Sequence, residues 1–389
     1  LQLPQSFKLF LLVMLCFSVL SWAVAYFFHL KGMGHPYSWP YYVFGQTAQQ
    51  PHGDRFSDLY VSERFSHFHE MSFFDESYGF GFLYPAPMAL LYRIFLPNMP
   101  HAWLVFLGLY GGFLGLCATF CIRAFHRIGL SFFAATGFTL AGIALSEVLL
   151  FEAHRLNFEF FIFLLISGVS YCFVRSRFTT AGILLGIAIS LKLYPVILLG
   201  VFLSLRKFRA ITICILTAVV VSIIGFVAET PSFMLSVRGT VAGLQTFSHL
   251  YAEQVETAIG WDHSFFALLK LLTLHMKISI PSMLHVYLGI ASLAGTAFYF
   301  FVIRRLPILN QLTLLILLSV TLPPVSFEYT LLDLYPMFAL LCIAILQQER
   351  AGFSQPGAKR MMMCFGFLFS VQGWLVGHGH TADGPLKLV

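Results

Sequence analysis

Residues 182–200 read GILLGIAISLKLYPVILLG, an apolar run whose only charge is Lys192. A segment embedded in a bilayer needs roughly 20 mainly apolar residues, and this run supplies them. It is interrupted at Leu191-Lys192-Leu193-Tyr194-Pro195, and a proline steers its predecessor away from the helical region. The stretch 180–205 is therefore expected to form two short helices meeting at a break. A charge at the centre of a bilayer costs about 2.5–3.5 kcal/mol on insertion scales and usually faces a cavity or a partner. Two readings of Lys192 follow. Its stem carries the amine to an interface, or the amine meets an anion at the break, such as the phosphate of a lipid-linked molecule. Tyr194 stands ready to donate a hydrogen bond to the same group.

Outward from this run the pattern repeats. The chain has 389 residues, 58% of them hydrophobic and 10% charged, with a mean hydropathy of +0.82. Soluble domains carry about a quarter charged residues, so an ordinary globular protein is excluded. The 44 phenylalanines suit lipid-facing helix surfaces and interfacial aromatic belts. Further spans are expected at 7–29, 101–122, 129–150, 158–175, 210–228, 281–302, 307–323, 332–347 and 361–377. The first, apolar from Phe7 to Leu30, exceeds the length of a signal-peptide core and has no small-residue cleavage site behind it, so it is expected to be retained. Tyr84 to Leu96 is too short to span, carries Pro85 and Pro87, and is expected as a half-helix at the outer interface. The fold class is thus an all-α polytopic transmembrane bundle of about 11 spans, one integral membrane domain over 1–389, with outer juxtamembrane helices in the first long loop.

Charge gives the orientation. With a cytoplasmic N-terminus, Lys8, Arg123, Arg127, Arg175, Arg177, Arg206, Lys207, Arg209, Arg304, Arg305, Arg350, Lys359 and Arg360 collect on the inner side, 13 of 23 basic residues. Of the 17 acids only Glu349 joins them. This is the positive-inside pattern. Two polar segments, 31–100 and 229–280, fall outside. The net charge of +6 is dispersed in short clusters between apolar runs, which argues against nucleic acid as a partner. The seven cysteines all sit in apolar stretches without metal-ligand spacing and read as packing residues. The two halves show no internal repeat, which weakens a transporter built from duplicated bundles.

Four constellations could carry chemistry. In the first outer loop, Asp58 lies between Phe56 and Leu59-Tyr60, where aromatic neighbours would hold a carboxylate near the membrane surface as a general base on a hydroxyl. Water-exposed loops are polar in any case, which accounts for many of the charges around it. His67 and His69 alternate with aromatics, yet no nearby carboxylate pattern completes a ligand set, so no metal is expected. Glu152-Ala153-His154-Arg155-Leu156-Asn157-Phe158-Glu159 carries more charge than a turn between spans requires. Arg155 and Asn157 suit phosphate or sugar hydroxyls. His263, after Trp261-Asp262, is a proton shuttle, a phosphate donor or a structural interfacial histidine. Glu328 and Tyr329, after Pro323-Pro324, are solvated or line a pocket for a sugar.

Taken in order, these pieces resemble glycosyltransferase family 87, the polyprenol-phosphate-mannose-dependent enzymes of the GT-C superfamily. The resemblance rests on Asp54-Arg55-Phe56-Ser57-Asp58, Tyr84-Pro85-Ala86-Pro87, Arg155-Leu156-Asn157, Leu191-Lys192-Leu193-Tyr194-Pro195 and Pro323-Pro324-Val325-Ser326-Phe327-Glu328-Tyr329. It implies a hexosyltransferase with Asp58 as the catalytic aspartate and Asp54 as the fallback; single displacement would invert the anomeric centre, and a monophosphate leaving group held by fixed cations, with no ligand cluster nearby, is expected to need no metal or cofactor. It implies a polyprenyl-phosphate sugar donor whose phosphate lies by Lys192, Tyr194 and Arg155, and a lipid or glycan acceptor. Asn157, His263, Glu328 and Tyr329 would contact sugar or acceptor. The chain departs from the family pattern at His154-Arg155-Leu156-Asn157, where many members carry Gly-Gln before a hydrophobic residue and Asn. The expected location is a bacterial plasma membrane with the active site extracytoplasmic. The alternative is a transporter or flippase of a lipid-linked sugar.

Overall fold

The computed structural model describes residues 3–30, 84–95, 102–229, 232–254, 262–273, 276, 278–352, 356–370, 375–376 and 380–381. Those residues are overwhelmingly helical. In chain order the helices are α1 (Gln5–Leu30), α2 (Ala86–Phe95), α3 (Ala102–Ile128), α4 (Phe132–Ala144), α5 (Glu147–Arg155), α6 (Glu159–Val174), α7 (Phe178–Leu191) and α8 (Leu199–Ser204). They continue with α9 (Phe208–Glu229), α10 (Phe233–Phe247), α11 (Phe265–Leu272), α12 (Ile280–Phe301), α13 (Ile308–Thr321), α14 (Tyr335–Arg350) and α15 (Pro356–Phe369). A two-residue antiparallel pair, Leu375–Val376 with His380–Thr381, is a small departure from all-α.

Among the described residues four helical stretches are long and apolar enough to cross a membrane: Trp103–Ile128, Phe208–Glu229, Ile280–Arg305 and Glu328–Arg350. Phenylalanine, leucine and valine side chains point outward along them, Phe120 at 74% and Leu293 at 75% exposure. Water would not tolerate such faces in a monomer, and lipid does. The chain is a multi-pass membrane protein. Helices α4, α6, α7 and α13 are shorter, and a 14-residue helix at 1.5 Å per residue falls well short of a hydrocarbon core about 30 Å thick.

Most expected spans match helices to within a few residues, and 180–205 divides as expected. Helix α7 stops at Leu191, Lys192 is extended (φ −143°, ψ 138°), and a 3₁₀ turn over Tyr194–Leu198 leads into α8. Two expectations are corrected. The span expected over 129–150 is two helices, because the Ser146 hydroxyl caps α5 by accepting from Leu149 N and Glu147 follows in its first turn. A capping serine followed by a carboxylate satisfies orphan N–H groups and the helix dipole, even inside an apolar run. The segment expected as a connecting loop, Glu152–Glu159, is a helix junction. Helix α5 ends at Arg155, Leu156 takes the left-handed conformation (φ 53°), and Glu159 opens α6. The last expected span, 361–377, ends as a helix at Phe369.

Close backbone approaches fix the centre. A Cβ on Gly182 would lie 2.6 Å from Ala210 O, and one on Gly186 would lie 2.5 Å from Cys214 O. The Gly-x-x-x-Gly face of α7 therefore lets α9 pack directly against it, the arrangement lipid-embedded helices favour. Farther along α9, Gly225 accepts the ring of Pro87 at 2.7 Å from its would-be Cβ, and Arg93 pairs with Glu229 at 2.9 Å. These two contacts seat α2 on α9. The turns after α6 and α8 close alike: Ser176 and Arg206 are left-handed (φ 56° each), with Arg177 N donating to Cys172 O and Lys207 N to Phe202 O, both 2.8 Å.

Candidate active site

The break after α7 turns Lys192 away from its helix and into the protein, where only 8% of it is exposed. Its ammonium pairs with the Glu159 carboxylate and donates to Asn157 Oδ1 at 3.1 Å. It also sits over two phenol rings, 5.3 Å from the centroid of Tyr84 and 4.9 Å from that of Tyr329. Glu159 is placed by the α5–α6 junction at the first position of α6, where the helix dipole favours a carboxylate. Asn157, in the same junction, donates from Nδ2 to Tyr84 Oη at 2.8 Å and so ties the entrance of α2 to the cluster. The Tyr194 hydroxyl bridges the carboxyls of Glu159 and Asp333, 2.6 Å from the latter. Asp333 belongs to the 3₁₀ segment Glu328–Leu334 that carries Tyr329.

Burial of Lys192 thus needs no ligand, since Glu159 supplies the counter-charge. An ammonium has three hydrogens. Glu159 and Asn157 take two, and the amine also lines a cavity of about 170 Å³ together with Tyr84, Tyr194, Phe247, Ser326 and Tyr329. None of the described residues lining it is a carboxylate. A second, larger cavity of about 630 Å³ runs between α1, α13 and α15, and His263 lies in its wall.

Of the residues singled out from sequence, Asn157, Lys192, Tyr194 and Tyr329 come together. Arg155 stands one layer out, its guanidinium 6.0 Å from the Phe151 ring, which in turn stacks on Tyr329 with centroids 6.0 Å apart. His263 lies on the far side of the 326–330 segment, 3.2 Å from Ser326 Oγ. Glu328 is fully buried. Asp54 and Asp58 lie outside the described residues, as do His67 and His69. Among the described residues no group of three or more His, Cys, Asp or Glu is placed to hold a metal ion. Sequence reasoning missed Glu159, Asp333 and Tyr84 as site residues. The signal for both acids was present: each is a carboxylate in an apolar run, the same anomaly that marks Lys192.

A helical, lipid-facing bundle that buries a lysine–glutamate pair beside a phenol-lined cavity defines a membrane protein with an internal polar site. The model of glycosyltransferase family 87 matches residues 82–327, and the chain belongs to that family. The matched segment begins after Asp54 and Asp58 and ends before Glu328. No curated protein and no solved structure matches the chain. Family and architecture together make it a GT-C-like membrane glycosyltransferase.

Proposed function

We propose that the protein transfers a hexose, mannose in the first instance, from a polyprenyl-phosphate donor to an acceptor hydroxyl on the extracytoplasmic side, with inversion. The observation that carries this reading is the ammonium of Lys192 on the wall of the 170 Å³ cavity, with one hydrogen left over after Glu159 and Asn157. In the transfer, the bond between the anomeric carbon and the phosphate oxygen breaks and its electron pair goes to the phosphate. The acceptor oxygen attacks the opposite face and gives up its proton to a base. Negative charge grows on the departing phosphate, and a fixed N–H donor in a dry site stabilises that charge without reorganising. The phenols of Tyr84 and Tyr329 flank the amine and line the cavity beside it.

The base has to come from elsewhere, because no described residue lining the cavity is a carboxylate. Asp58, with Asp54 as the fallback, keeps that role on the strength of the resemblance. Asp58 precedes Tyr84 by 26 positions in the chain. The distribution of basic residues between the apolar runs supports a cytoplasmic N-terminus and an extracytoplasmic site.

The test is transfer of radiolabelled mannose from polyprenyl-phosphate mannose in proteoliposomes containing the purified protein. Lys192→Met is expected to lower kcat by about 10²–10³, the usual loss for a donor aimed at developing charge. Full transfer by Lys192→Met would overturn the assignment. Movement of labelled donor across the bilayer without any transfer would replace the enzyme with a flippase.

A further inference from the structure

Residues 324–330, which form part of the wall of the 170 Å³ cavity, are pinned from behind by residues 262–264. Asp262 Oδ1 accepts from Ser264 N and Ser326 N, both at 2.9 Å. His263 N donates to Ser326 O at 2.9 Å, and Asp262 and Phe327 form an isolated antiparallel bridge. Ser264 Oγ donates to Pro324 O at 3.3 Å. The backbone of Ser326 is thereby held on both sides.

The side chains of this clasp form a hydrogen-bond set whose direction can be counted. Thr330 has one hydroxyl hydrogen and gives it to Phe327 O at 2.9 Å. Towards Ser326 Oγ, also 2.9 Å away, Thr330 Oγ1 must then accept, which uses the only hydrogen of Ser326. His263 Nε2 lies 3.2 Å from Ser326 Oγ and 3.4 Å from Thr330 Oγ1. Both hydroxyl hydrogens being spent, the imidazole satisfies these contacts only as the donor, with the hydrogen on Nε2. The nearer oxygen, that of Ser326, takes the larger share of it. Ser326 and Thr330 both line the cavity, and towards it each has accepting capacity and no hydrogen.

We infer that Ser326 and Thr330, oriented from behind by His263, are the part of the pocket that selects the sugar, an acceptor-only wall that recognises one sugar hydroxyl as a donor. This rests on the proposed function and adds to it the residues that fix which hexose is taken. The wall complements Lys192, which is donor-only. A sugar hydroxyl must present its hydrogen to Ser326 or Thr330, and a stereoisomer that points the hydroxyl elsewhere leaves the remaining accepting capacity of this wall unused. His263 is a positioning residue here.

An acceptor-only wall makes a prediction that shape alone does not. Replacing the recognised hydroxyl by fluorine keeps size and polarity but removes the hydrogen. The fluoro analogue should bind as poorly as the deoxy analogue, about tenfold or more weaker than the parent, as expected when a buried acceptor is left unmet. The experiment measures competitive inhibition constants against mannose transfer for non-transferable phosphonate analogues of polyprenyl-phosphate mannose, each with one hydroxyl at C3, C4 or C6 replaced by hydrogen or by fluorine. For one position both replacements should weaken inhibition about tenfold or more, and Ser326→Ala or Thr330→Val should shrink that ratio to about two- to threefold. The wall is refuted if fluorine inhibits like the parent at every position, or if both variants keep the wild-type ratio. If the parent phosphonate does not bind at all while the protein remains folded, the proposed function itself fails, and the inference with it.

Discussion

Replacing Lys192 alone should destabilise the protein far more than replacing Lys192 and Glu159 together. Both groups are shut away from solvent, with side-chain exposures of 9% and 0%. At contact, and with an effective dielectric near 20, their attraction is on the order of 4 kcal/mol or more. Lys192→Met keeps the length of the stem but leaves the Glu159 carboxylate buried with only Tyr194 and the α6 N-terminus to answer it. Breaking one side of such a pair costs about 3–5 kcal/mol. Glu159→Gln, by itself, leaves the ammonium stranded at a similar cost. In the double variant both charges of the pair are gone. The amide introduced by Glu159→Gln still accepts from Tyr194, and it can donate to Asn157 Oδ1, the acceptor Lys192 vacated. Stability should return to within about 1 kcal/mol of the wild type. The assay is reversible unfolding in mixed detergent micelles for the four members of the cycle, followed by transfer activity on the same preparations. Stabilities that add across the two sites, or a single variant within about 1 kcal/mol of wild type, would show that the two groups do not form a coupled buried pair. Transfer by the stable double variant at wild-type rate would remove Lys192 from the mechanism.

Gly186→Ala should push α7 and α9 apart, since its Cβ would meet Cys214 O at 2.5 Å and Thr217 Cβ at 2.8 Å, costing about 1–3 kcal/mol in detergent unfolding and lowering transfer because Lys192 is the residue that immediately follows α7. Ser176→Gly relieves a left-handed residue in the turn after α6 and should raise stability by roughly 0.5–1 kcal/mol. Burial holds the Asp262 carboxyl up at about 6, against the pull of the Lys270 ammonium and the N–H groups of Ser264 and Ser326. A folded value above the unfolded one means that the native state binds the proton more tightly, so this contribution is complete below the unfolded value of about 3.9 and is lost as pH rises through about 6. It amounts to roughly 3 kcal/mol at most. Unfolding stability followed from pH 4 to 7.5 should fall across that window in the wild type and stay flatter in Asp262→Asn, and parallel curves would refute the assignment.

Membrane class and the helix break were legible because both are one-dimensional signals. Apolar run length predicts burial in lipid, and Pro195 steers Tyr194 away from the helical region in the middle of such a run. The short helix α2 was legible for the same reason, in Pro85, Pro87 and a run too short to span. The break at Ser146 was not, because the nearest glycine, Gly142, lies within α4 rather than at the break, and a serine inside an apolar run is usually accommodated within a helix. Around the site, the sequence shows that Lys192 needs a partner but not which one. Its partner is 33 residues away, and the phenol of Tyr194 reaches across 139 residues to Asp333. Those choices are made by the α5–α6 junction and the 3₁₀ turn at 328–334, and neither has a periodic pattern to read. The clasp between 262–264 and 324–330 is likewise a pairing of irregular segments.

A buried ion pair is poor evidence that folding requires it, since well-packed apolar residues of similar volume usually serve stability as well or better. The argument is sharper in lipid, where apolar side chains gain nothing from associating with one another and packing of small residues holds helices together. Helices α7 and α9 already meet through Gly182 and Gly186, before the chain reaches Lys192. The pair therefore adds little to the contact that builds the bundle. What it adds is a fixed donor on a cavity wall, held in place by Glu159 and Asn157 and covered by two phenol rings, at the one point where the helix opens. A charge placed where the backbone has been unwound, and neutralised so that it survives without ligand, is positioned for use by something that enters the cavity. That is the physical reason for assigning the site to Lys192 and its neighbours rather than to the larger cavity between α1, α13 and α15, whose lining is apolar apart from His263 and Thr321 and the thiol of Cys364.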